Sequence, residues 1–126
     1  MCPVLLSGRI LTINDTAVAT TTPNILLPID IKTEVEKEFG ADSIMVKIAS
    51  CESHFRQFDK NGEVLRGEQN PLDRGIFQIN EYYHLENSKQ LGYDIYTIKG
   101  NIGYARYLYD KNGTRDWGWS KFCWKK

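Results

Sequence analysis

Ala49-Ser50-Cys51-Glu52-Ser53-His54-Phe55, followed by Asp73-Arg74-Gly75-Ile76-Phe77-Gln78-Ile79-Asn80, is the stretch on which the reading of this chain turns. Met45, Ile48, Ala49 and Glu52 recur at i, i+3, i+4, i+7 spacing, so a helix capped by Asp42 or Ser43 and running to about Ser53 puts a carboxylate on its apolar face. A carboxylate placed there is costly unless it is paired or neutralised. Desolvation raises its pKa, which is what a general acid working near neutrality requires. The competing arrangement is a surface salt bridge from Glu52 to Arg56 or Lys47.

Between the two runs, Phe55-Arg56-Gln57-Phe58 and Glu63-Val64-Leu65-Arg66 flank Asp59-Lys60-Asn61-Gly62, a turn rich in residues that tolerate positive φ. A β-hairpin is expected there. The turn has the opening of a calcium loop but lacks the third oxygen ligand, the placed glycine and the downstream Glu, so no metal site is expected. After the Asn70-Pro71 turn, Gly75 to Ile79 reads as a short strand. Strand alternation puts Gln78 and Asn80 on one face beside Asp73.

The remaining helices follow from caps and spacing. Asp30 caps a helix to Phe39, stopped by Gly40, with Ile31, Val35 and Phe39 at four-residue intervals. A helix over Glu81 to Gln90 stops at Leu91-Gly92. Another, from Ile95 to about Lys111, carries Ile98, Ile102, Ala105 and Leu108 inward and ends at Asn112-Gly113. Gly100 and Gly103 weaken it unless they let a neighbour pack closely. Residues 1–27 read as a separate segment, with a strand over Arg9 to Ile13 and a linker from Thr16 to Pro23, and residues 28–126 as the domain proper.

The whole chain has 126 residues, enough for one core, and 41% hydrophobic and 12% aromatic content, above what a disordered chain carries. Sixteen basic and sixteen acidic residues cancel, so there is no global field to draw in nucleic acid or an anionic membrane. No stretch has the roughly 18 apolar residues of a membrane span, and Val4-Leu5-Leu6 is too short for a secretory h-region. Further sequence is therefore expected to precede Met1. Of the three cysteines, Cys51 and Cys123 are expected to pair, closing a long loop, the alternative being two buried thiols; Cys2 is left as an exposed thiol. The histidine count and spacing do not suit zinc.

Glu52-Ser53-His54-Phe55, Asp73-Arg74-Gly75-Ile76-Phe77-Gln78-Ile79-Asn80 and Asn101-Ile102-Gly103-Tyr104-Ala105-Arg106-Tyr107-Leu108 together resemble the lysozyme-like superfamily. The first two look like the c-type lysozyme pattern, the third like the soluble lytic transglycosylases, and the likeness covers residues 30 to 124. The resemblance implies an α+β, lysozyme-like fold, mainly helical, with a small β-hairpin or three-stranded sheet beside the active-site cleft. It implies that Glu52 protonates the leaving glycosidic oxygen and that Asp73 is the second carboxylate. Asp73 as a hydrogen-bonded turn residue, or Asp59 in its place, are the alternatives. A retaining pair stands about 5–5.5 Å apart and an inverting pair about 6.5–9.5 Å. Lytic transglycosylases need only one carboxylate.

A sugar cleft needs aromatic platforms beside amides and carboxylates. Ser53, Gln78, Asn80, Tyr104 and Trp117 are the expected substrate-binding residues, with Tyr82, Tyr83, Tyr107 and Trp119 as further platforms; His54 and His84 are assigned to surface or packing. The expected activity is cleavage of the β-1,4 bond between N-acetylmuramic acid and N-acetylglucosamine in peptidoglycan, by a monomer outside the cytoplasm, without cofactor. Transglycosylation to 1,6-anhydro products and a non-catalytic glycan-binding module are the rivals.

Overall fold

A computed structural model describes residues 27–126; the expected strand over Arg9 to Ile13, the linker and Cys2 lie outside the described residues. The described part is mainly helical with one two-stranded antiparallel sheet, an α+β arrangement.

Helix α1 (Ile31–Phe39) starts after Asp30 and ends at Gly40, whose φ of 98° ordinary residues resist. Asp30 holds the helix start through its hydroxyl partner Thr33 rather than through a backbone N–H. In α2 (Ile44–Ser53) Ser43 Oγ accepts from Met45 N, and Met45, Ile48 and Ala49 are fully buried. The helix stops without a glycine: His54 and Phe55 both take positive φ. Ser53 makes this exit possible, its hydroxyl donating to Ala49 O and accepting from Arg56 N.

The expected hairpin around Asp59-Lys60-Asn61-Gly62 is reduced to a single bridge, Phe58 to Val64. Asp59 Oδ1 takes up the turn's own amides, accepting from Asn61 N and Glu63 N, so this carboxylate closes the turn. The sheet lies further on, with β1 (Asp73–Arg74) antiparallel to β2 (Ile79–Asn80) and Asp73 opposite Asn80. A third strand is represented only by the Arg66–Arg74 bridge.

Gly75 to Ile79 is not a strand as expected: residues 75–78 are the turn joining β1 to β2. Two buried amides from elsewhere hold that turn. Gln57 Oε1 accepts from Ile76 N and Asn101 Oδ1 from Phe77 N, both at 2.9 Å. Their amino groups donate to Ile95 O, and Asn101 Nδ2 also to Arg74 O. A Cβ on Gly75 would stand 2.4 Å from Gln57 Oε1, so only glycine lets the clamp close. With its amides satisfied sideways, the turn buries Ile76 and Phe77 completely.

Helix α3 (Glu81–Gln90) is capped by Asn80, and α4 (Ile98–Asn112) by Thr97. The latter begins later than Ile95, because Thr97 Oγ1 accepts from Gly100 N and leaves Ile95 as a buried residue ahead of the helix. A Cβ on Gly100 would meet the Asp94 carbonyl and one on Gly103 the Tyr93 ring, so both glycines serve close packing. A 3-10 segment (Arg115–Ser120) and the short α5 (Lys121–Trp124) return to α2, where Cys123 bonds Cys51. Among the described residues, no helix is long and apolar enough to cross a membrane.

Candidate active site

The C-terminal end of α2, the β1–β2 hairpin, the first turn of α3 and the 3-10 segment enclose an open cleft of about 640 Å³. Glu52 and Asp73 both line it. So do Gln78 and Asn80, with Gln69 and Asn70 from the preceding loop, which gives a wall of four amides beside the carboxylates. Asp116 is a third carboxylate, and among the described residues no Lys or Arg lines the cleft.

Glu52 is partly buried at the end of the apolar face of α2. Burial pushes its carboxyl above the ordinary carboxylate range; a hydrogen bond from Ser120 Oγ opposes that shift, and the negative charge of Asp73 adds to it. Neither Arg56 nor Lys47 forms the alternative salt bridge: Arg56 Nε donates to Ser53 O instead. Burial likewise raises Asp73, opposed by the 2.9 Å bond from Asn80 Nδ2 to Asp73 Oδ1. That bond crosses the ladder at the Asp73–Asn80 pair, so the sheet register fixes where the second carboxylate points.

The aromatic side chains divide into floor and rim. Trp117 is only 4% exposed; its Nε1 donates to Phe77 O and its ring packs at 5.9 Å from the Phe77 ring, so it floors the cleft with carbon rather than with a hydrogen-bond donor. Trp119, at 97% exposed, and Tyr83, at 74%, stand open at the rim. Tyr83 meets the Tyr82 ring edge to face at 5.0 Å, and of the expected platforms that line the cleft Trp119 is the most exposed.

Two expected contacts are corrected. Ser53 is buried and committed to the exit of α2, so its hydroxyl is turned away from the cleft. Tyr104 is 1% exposed and packed between the rings of His84, Tyr93 and Tyr107, a core residue and not a platform. Gln78 reaches the cleft, but from a left-handed turn position (φ 49°), where its Nε2 donates to Gly75 O, and not by strand alternation with Asn80.

Ser120, which contacts Glu52 from behind the cleft wall, and the lining residues Gln69, Asp116 and His84 are not among the site residues expected from sequence. Ser120 carries no local signal, because it meets Glu52 only through tertiary structure, with Trp117 and Trp124 buried on either side of it and the Cys51–Cys123 bond joining the last helix to α2. His84 does carry one: Asn80, Tyr83 and His84 are spaced i, i+3, i+4 from the helix cap and share the cleft-facing side of α3. Burial holds His84 below its usual pKa, and the Asp116 charge only partly counters this.

A larger hollow of about 790 Å³ lies between α1 and the start of α4. Its Lys37 and Arg106 are already occupied by ion pairs with Glu34 and Glu38, and it holds no carboxylate of the Glu52 kind. Among the described residues, no three His, Cys, Asp or Glu side chains converge as a metal site.

Comparison with protein-family models, curated proteins and solved structures returns no match for this chain.

Proposed function

We propose that the chain has a lysozyme-like fold and cleaves the β-1,4 bond between N-acetylmuramic acid and N-acetylglucosamine in peptidoglycan. The observation that carries the reading is Glu52 itself: a carboxyl with its pKa raised by burial, in an open cleft, facing a second carboxylate and a wall of amides. A proton donor near neutrality needs that environment, whereas a binding surface gains nothing from burying an acid. Amides and exposed aromatic rings suit the hydroxyls and apolar faces of sugars, and a cleft lined by carboxylates without Lys or Arg disfavours polyanions such as nucleic acid.

In the reaction, Glu52 gives its proton to the glycosidic oxygen as the C1–O bond breaks, leaving positive charge on C1 and the ring oxygen. Asp73, kept available by Asn80, stabilises that charge and either bonds C1 or takes a proton from the attacking water. Where the sugar's own 6-hydroxyl attacks C1 instead, Glu52 carboxylate takes up its proton and the product is a 1,6-anhydro sugar. The Asp73 position beside Glu52 favours hydrolysis. The Cys51–Cys123 bond fits an oxidising compartment outside the cytoplasm, where peptidoglycan lies.

Mass spectrometry of digested peptidoglycan tests the reading. Reducing muropeptide ends are the expected products; anhydro ends would assign the transglycosylase reaction, and an intact glycan that nevertheless binds the protein would assign a non-catalytic module.

A further inference from the structure

His84 has no part in the reaction above, yet it lines the same cleft. Its Nδ1 is 3.0 Å from the Tyr104 hydroxyl, and that hydroxyl accepts a 3.1 Å bond from Asn87 Nδ2. Tyr104 is buried, so its O–H proton must find a protein acceptor. Asn87 occupies the accepting side of the oxygen, which leaves His84 Nδ1 to receive the proton. Nδ1 is then bare and Nε2 carries the ring hydrogen.

Among the described residues Nε2 has no protein partner. It is not enclosed either, because among the described residues Arg74 Nε is the only buried side-chain polar atom lacking one. The ring lines the cleft, so the cleft is where the Nε2–H is offered. Tyr83 apart, the other ionisable groups among the described residues lining that cleft, Asp116, Asp73 and Glu52, are all carboxyl groups. His84 therefore adds an uncharged donor of fixed direction, suited to an uncharged acceptor.

We propose that His84 is a substrate-binding residue whose Nε2–H donates to the acetamido carbonyl of a bound N-acetylated sugar, with Tyr104 and Asn87 as positioning residues that fix its tautomer. This rests on the glycan reading given above. Tyr104, displaced from the list of platforms by its burial, acquires a role through His84 that a packing residue would not have.

Imidazole nitrogen NMR of the wild type, with titration of Glu52→Gln protein by a chitooligosaccharide above neutral pH, tests the proposal. Expected are the Nε2–H tautomer in the free protein, a shift of the His84 Nε2 signal on binding, and about five- to tenfold weaker binding for His84→Ala in that background. His84→Gln, whose amide carries a donor to similar reach, should recover most of the affinity. Tyr104→Phe should leave a mixture of tautomers. An Nδ1–H tautomer in the wild type, or undiminished affinity in His84→Ala, would overturn the proposal and leave the glycan reading standing. Absence of any binding by Glu52→Gln would overturn both.

Discussion

Ser120 Oγ donates to Glu52 Oε2 over 2.5 Å, joining residues 68 apart in sequence. The same hydroxyl accepts from Trp124 Nε1 at 3.0 Å and lies 3.2 Å from Trp117 O. One rotatable proton therefore serves both states of the carboxyl, turning to Oε2 when Glu52 is ionised and to Trp117 O when it is neutral. Held by one oxygen, Glu52 has no partner for Oε1 among the described residues, which leaves it to the cleft.

Because the Ser120 bond lowers the Glu52 pKa, removing it should raise that pKa further. In Ser120→Ala the alkaline limb of the kcat/KM profile should move to higher pH, since the acid stays protonated longer. The plateau rate should fall about tenfold, the effect of losing one hydrogen bond to a charged group. Ser120→Thr should restore both. A limb that stays in place would mean that the hydroxyl does not govern the acid.

The raised pKa of Glu52 also has a stability cost of definite sign. An acid whose folded pKa lies above its unfolded value, about 4.3, favours the fold fully below that value, and the contribution is lost as pH rises through the folded pKa. Glu52→Gln, which keeps a partner for Ser120 without the charge, should melt at or above the wild-type temperature near neutrality. The gap should close below about pH 4. Thermal melts across pH check this; a Gln variant less stable at neutral pH than in acid, relative to wild type, would contradict the burial account.

The Cys51–Cys123 bond spans 72 residues and sits immediately before Glu52. Loop closure of that length is worth about 4 kcal/mol in the chain-entropy account. Reduction should therefore lower the melting temperature of the wild type and leave the Cys51→Ala/Cys123→Ala double variant unchanged. Thiol titration of unfolded, unreduced protein should find Cys2 alone free; three free thiols would rule the bond out.

Asn101 is expected to be the most sensitive polar position away from the cleft. Asn101→Ala strips the partner from Phe77 N, the donor from Arg74 O and one of the two donors from Ile95 O, all buried, which should cost about 3 kcal/mol in urea unfolding. Asp73 rides on the hairpin that Asn101 clamps, so activity should fall as well. A loss under about 0.5 kcal/mol, the range of ordinary surface changes, would show that the clamp is dispensable.

The helices were legible because their signals are local. Ser43, one of the two caps read for α2, caps where it stands, and the i, i+3, i+4, i+7 spacing of α2 put Glu52 on the inward face, whereas the expectation for α4 misses the Thr97 cap and begins that helix too early. The hairpin was not, because Ile76-Phe77-Gln78-Ile79 has strand composition but its first two amides are taken by Gln57 and Asn101, far off in sequence. Tyr104 was misplaced for a similar reason: helical spacing gives a residue its face but not its depth, and depth here is set by His84, Tyr93 and Tyr107. Ser120 reaches Glu52 through the burial of Trp117 and Trp124 and the disulfide that joins the last helix to α2, contacts without a local signature.

Release of muropeptides from purified peptidoglycan by wild type and Glu52→Gln, followed by mass spectrometry, shows whether Glu52 donates the proton that breaks the glycosidic bond. Steady cleavage by the wild type is expected, with a loss of at least about a hundredfold, the usual weight of a general acid, in a Gln variant that remains folded and still binds glycan. Cleavage by Glu52→Gln at close to the wild-type rate, or no cleavage by the wild type, would contradict that role for Glu52.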